Sequence, residues 1–151
     1  MNRYQNMPGF LAAAILLAGT SAAMAHVHVT PAQAMAGATQ TYDLRVPTEG
    51  KAATVKTELT VPANVTLVSV DPAGKPFEVR HAANKTSVIV WTVQVPPGET
   101  KQFQFTVRNP ATGTAIVWKT DQYFADGSVR HWADGADGIR PAPTTTLTPR
   151  P

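Results

Sequence analysis

The chain has no cysteine. An exported domain of this size would have to be stabilised by its core alone, without a disulfide framework, and thiolate ligation of any metal is excluded. Methionine is scarce as well: of four, Met1, Met7 and Met24 lie in the first 25 residues and only Met35 lies beyond them. No apolar run is long enough for a spanning helix; the longest, Phe10 to Gly19, is too short. A basic block is missing too. The 13 Lys and Arg are scattered among 10 Asp and Glu, which argues against nucleic acid as a partner. From His26 onward no helical period persists, and no internal repeat is found.

What the N-terminus does contain is a secretory pattern. Arg3 gives a weakly basic start, the Phe10–Gly19 run is apolar, and Ala23 and Ala25 are small residues where a signal peptidase reads. Residues 1–25 are therefore expected to be a signal peptide cleaved after Ala25, which places the protein in the periplasm or outside the cell with no membrane anchor in the mature chain. Cleavage there would make His26 the first residue, with a free α-amine beside its imidazole. Amine nitrogen and ring Nδ1 of one residue can close a chelate ring on copper, nickel or zinc. With sulfur donors nearly absent, the remaining nitrogen and oxygen donors favour Cu(II). The alternative is that His26 merely happens to follow the scissile bond.

The rest is the size of one domain. Short segments rich in Val, Thr and aromatics recur between turn residues: 26–30, 39–46, 54–61, 66–70, 77–81, 87–95, 100–108, 114–124 and 128–132. Nine short strands at this spacing predict an all-β sandwich. Val55, Thr57, Leu59 and Val61 alternate with Lys56, Glu58 and Thr60, and Phe103, Phe105 and Val107 with Gln102, Gln104 and Thr106, so each strand has one core face and one wet face. Asp126-Gly127 is the strongest hairpin signal. Trp91 and Trp118 sit among Val and Ile and are expected in the core. The sandwich is expected over residues 26–136. After Trp132 the composition turns to Asp, Gly, Pro and Thr, Leu147 is the only large apolar side chain from Thr144 to Pro151, and a loose, coreless tail over 137–151 is expected.

With the strands placed, the chain resembles the YcnI-like family of exported copper-binding domains, a group long labelled only as a domain of unknown function. The likeness runs from His26 to about Trp132. It rests on His26-Val27 after the cleavage site, Val29-Thr30-Pro31-Ala32 with Gly37, Tyr42 to Glu49, Val90-Trp91, Pro97-Gly98-Glu99 before Phe103, then Gln122, Phe124, Asp126 to Val129 and Trp132. The resemblance implies an immunoglobulin-like or cupredoxin-like sandwich that holds one Cu(II) by a single-histidine brace, with a glutamate and a tryptophan close by. Carried over, these are His26 and Trp132, with Glu49 as the preferred glutamate and Glu58 as the other candidate. Without the resemblance, either carboxylate reads as a solvated strand residue.

This chain departs from the family pattern at His28, where Thr is usual, at Phe124 in place of Tyr, and at His131 in place of a basic residue. His26 and His28 share a strand face by the period of two, so His28 is either a second imidazole for the site or a polar strand residue. His81 and His131 read as surface residues. Three functions follow: a copper carrier that exchanges the ion with other periplasmic or membrane copper-handling proteins, a copper-dependent oxidative enzyme, or a metal-free structural sandwich. The first is preferred and no enzymatic activity is expected, since oxygen chemistry needs an open coordination position and a substrate platform.

Overall fold

A computed structural model describes residues 25–151; the expected signal peptide lies outside them, apart from Ala25. Among the described residues the chain forms β-strands and no helix. A four-stranded sheet has the order β1 (His28–Thr30), β3 (Thr39–Pro47), β8 (Thr100–Arg108), β5 (Thr66–Val70). A five-stranded sheet has the order β11 (Val129–Trp132), β10 (Thr120–Phe124), β4 (Thr54–Val61), β7 (Ser87–Trp91), β6 (Phe77–His81). The two pack face to face as an immunoglobulin-like sandwich. A third, small sheet of β2 (Gln33–Met35), β12 (Thr144–Thr148) and β9 (Ala115–Val117) closes one flank.

Period-two alternation builds the core. Tyr42, Leu44, Val46, Phe103, Phe105 and Val107 face inward from the first sheet; Leu59, Val61, Ile89, Trp91 and Trp132 face inward from the second. Aromatic pairs tie the layers: Trp91 stacks on Phe103 with centroids 4.7 Å apart, and Trp118 meets Tyr42 at 5.1 Å and Phe105 at 5.3 Å. Val55, expected inward, is only half-buried, because a bulge opposite Tyr123 and Phe124 shifts the register at the start of β4. The Asp126-Gly127 turn joins β10 and β11 as expected: Gly127 takes a φ of 85°, and the Asp126 carboxylate accepts from the Ser128 amide and hydroxyl.

Three expectations need correction. The 114–124 segment is two strands, since the chain switches sheets at Trp118-Lys119: β9 pairs with β12 whereas β10 pairs with β4. The 87–95 segment ends as a strand at Trp91, and Val95 only bridges back to Thr54. Most consequentially, the tail is not coreless. Residues 144–148 form β12, which runs parallel to β2 and antiparallel to β9. Its inward positions are Thr145 and Leu147, both buried. Thr145 Oγ1 accepts from Trp118 Nε1 at 3.0 Å and donates to the Pro31 carbonyl at 3.2 Å, so a hydroxyl replaces an apolar side chain in the strand without leaving either polar group unpaired.

Candidate metal centre

β1 carries the candidate ligands. Its register pairs His28 with Arg45 and Thr30 with Asp43; continued toward the N-terminus, it brings Ala25 and His26 alongside Pro47 and Thr48. Val27 and Val29 are buried and pin the segment into the core. Glu49 follows immediately after Thr48, and its Oε1 accepts a hydrogen bond from the Ala25 backbone N–H. The carboxylate therefore stands at the junction where cleavage would free the amine of His26. The His26 ring lies edge-on to the Trp132 indole, centroids 5.8 Å apart at 69°. The His28 ring is 6.4 Å from that of His26 and tilted by 59°. His26, Glu49, Trp132 and His28 are thus brought together from β1, the β3–β4 loop and the end of β11.

Glu58 is not. In β4 it pairs across to Val90 and Asp121, while its neighbour Leu59 pairs with Thr120, which pairs in turn with Trp132. Alternation puts Leu59 and Trp132 inward and Glu58 on the outer face. There it takes Lys56 Nζ at 2.9 Å, Arg80 at 3.5 Å and the Tyr123 hydroxyl at 3.1 Å. Its carboxylate is already neutralised, one sheet face away from His26. The same alternation sends His131 outward to Asp121, 2.7 Å away, and His81, on the far edge strand β6, bonds Ser87 of β7.

Two supporting residues were given no role by the sequence, although Gln122 belongs to the family pattern. Arg130 NH1 lies 3.7 Å from Glu49 Oε2, with its guanidinium over the Phe124 ring at 5.0 Å. Gln122 is fully buried. Its Oε1 accepts from Trp132 Nε1 at 3.2 Å, and its Nε2 donates to the Pro47 carbonyl at 2.9 Å and to Thr54 Oγ1 at 2.7 Å. Thr54 in turn bonds Thr48 Oγ1 at 2.7 Å. The loop leaving β3 is further held by Thr48 N–H to Glu99 O and Gly98 N–H to Thr48 O, both 2.8 Å. A buried glutamine on an inward strand position reads in sequence as a polar interruption; only the register shows what it joins.

Electrostatically the site is mild. Partial burial, with the charges of His26 and Arg45 added, lowers the His28 pKa from its ordinary value, so that imidazole stays neutral and its lone pair free near neutral pH. Among the described residues no three His, Asp or Glu side chains cluster closely enough to hold an ion by themselves. One imidazole and one carboxylate beside the terminus that cleavage after Ala25 would create do suit a metal that accepts nitrogen and oxygen, provided that cleavage turns the His26 amide into an amine. The residues present fit Cu(II) on that condition.

Residues 26–147 match the family described as "Domain of unknown function (DUF1775)". The chain belongs to the DUF1775 family. The family match begins at His26 and runs to Leu147, so it takes in β12. One relative is the copper-binding protein CutI of Bacillus subtilis strain 168, 31% identical over 137 residues that cover 88% of this chain and 67% of that protein. Among solved structures, an uncharacterized Nocardia farcinica protein with an immunoglobulin-like fold superposes with a TM-score of 0.66 at 26% identity, covering 81% of this chain and 97% of that one. A non-cellulosomal cohesin of Archaeoglobus fulgidus gives a TM-score of 0.50 at 12% identity over 82% of this chain and 90% of its own. The Nocardia farcinica neighbour identifies the sandwich as immunoglobulin-like.

Proposed function

We propose that this DUF1775 domain is an exported copper-binding protein that holds one Cu(II) at the mature N-terminus. The His26 amine and imidazole form the brace, Glu49 adds a carboxylate, and Trp132 covers one side of the ring. His28 stands beside it as a second imidazole available to the ion. The observation that carries this reading is the meeting of the Ala25 N–H, one residue before His26, with the Glu49 carboxylate, while the His26 ring rests against Trp132. The relation to a copper-binding protein supports the choice of metal, and so does the lack of any cysteine.

Copper here is cargo. An indole against the brace excludes water from one face, which suits storage and transfer better than oxygen activation. A role in copper trafficking or homeostasis outside the cytoplasm follows, with copper-handling proteins of the periplasm or membrane as donors and acceptors. Both functional nitrogens must be deprotonated to bind, so affinity should fall as pH is lowered. The test is the intact mass and N-terminal sequence of the exported protein, followed by Cu(II) titration of that material. A first residue of His26 and one ion per chain are expected. A different first residue, or no binding, contradicts the reading.

A further inference from the structure

The proposed ligands and their cover come from opposite sheets. His26 and Glu49 belong to the side of β1 and β3, and Trp132 ends β11, two strands from β4 in the other sheet. Something must fix the distance between them, and hydrophobic packing alone is non-directional. We propose that Gln122 is the positioning residue of the copper site: its buried amide ties the Trp132 indole to the Pro47–Thr48 backbone that presents Glu49. The inference rests on the copper reading above and adds to it a residue that touches no ligand atom.

Three observations carry it. Each polar atom of the Gln122 side chain is engaged, and both ends of the tie are parts of the site: the oxygen takes the indole N–H of Trp132, and the nitrogen gives one bond to Pro47 O, two residues before Glu49. The second N–H goes to Thr54, which reaches Thr48, the residue preceding Glu49. Gln122 also sits in β10 between β11 and β4, where an inward side chain spans from the Trp132 strand to the β3 end of the facing sheet. With full burial there is no water to replace any of these bonds, so their geometry is enforced. A comparable indole lies elsewhere in the core: Trp118 Nε1 bonds Thr145, and neither residue belongs to the site. This pair supplies an internal control.

The experiment compares mature protein beginning at His26 with its Gln122→Met and Thr145→Val variants. Thermal unfolding, Cu(II) affinity by competition, and the electron paramagnetic resonance spectrum of the bound ion are measured for each. Both variants remove the partner of a buried tryptophan and should lower the melting temperature. Only Gln122→Met is expected to weaken Cu(II) binding, by about 10- to 100-fold, and to change the copper hyperfine pattern. Parent-like affinity and spectrum in Gln122→Met would overturn the positioning role while leaving the copper reading intact. A parent that binds no Cu(II) overturns the copper reading, and this inference with it. Should Gln122→Met not fold, Gln122→Glu decides: it keeps an oxygen for Trp132 but loses the amide donors to Pro47 and Thr54. The same loss of affinity is expected there, and unchanged binding would refute the role.

Discussion

Glu49 and Glu58 both stand beside basic side chains, and what separates them is the other end of the carboxylate. Arg130 leaves one Glu49 oxygen facing the Ala25–His26 junction, whereas Glu58 is enclosed by Lys56, Arg80 and Tyr123. Glu49→Gln should therefore weaken Cu(II) binding about 10-fold or more, while Glu58→Gln should leave titration curves unchanged; the reverse result would move the site to the outer face. For His28, the 6.4 Å between rings keeps both imidazoles within reach of one ion. His28→Thr, which retains β propensity, is expected to reduce affinity and remove one nitrogen from the resonance pattern. A spectrum identical to the parent would leave His26 as the only imidazole. Sequence alone left two glutamates open because period two places a residue on a face but does not say which neighbours have already taken its charge. His26 and Trp132 were legible, one from the processing site and both from the family pattern. Arg130 carries no local signature, and Gln122, though one residue of the family pattern, has its partners distant in sequence, so nothing local says what it joins.

At the scale of elements, β12 decides how the flank of the sandwich is closed. A Thr-rich segment with one leucine has too little apolar surface to mark itself as a strand, and its parallel partner β2 lies more than a hundred residues earlier. Its contribution comes from Leu147 burial, roughly 2 kcal/mol, and from the Trp118–Thr145–Pro31 chain of hydrogen bonds. Thr145→Val should cost about 1–3 kcal/mol through the unpaired indole, read as a lower urea midpoint with an unchanged slope. Ending the chain after Pro143 should do more, exposing Ile116 and Trp118 to dye binding. A truncated protein as stable as the parent would contradict the place given to β12. The long antiparallel strands β4 and β8 were legible from alternation, since each buries one face of Val, Leu or Phe. The break at Trp118-Lys119 was not, because a strand that changes sheets keeps its β-type residues across the switch.

For the whole molecule, the immunoglobulin-like sandwich supplies a rigid frame that carries the proposed chelating terminus at one edge. Tyr42 is a core member of that frame, and burial raises its phenol pKa above the ordinary value; its hydroxyl donates to Asn109 at 3.0 Å. The unfolded chain then loses that proton first, so stability is retained below about pH 10 and lost as pH rises through the higher folded value. Tyr42→Phe should flatten this alkaline loss in a melting-temperature profile, and an unchanged profile would argue against it. Acid should act on the proposed site instead, releasing copper as its nitrogens gain protons, while among the described residues no Asp or Glu is buried in the core. The metal site is thereby separable from the fold, and one comparison exploits that. Cu(II) binding is measured for protein beginning at His26 and for the same protein with a single glycine placed before it. The native terminus should bind one ion with nitrogen-rich equatorial ligation and the extended one far more weakly, with identical unfolding curves. Equal affinity in the two would contradict the terminal brace.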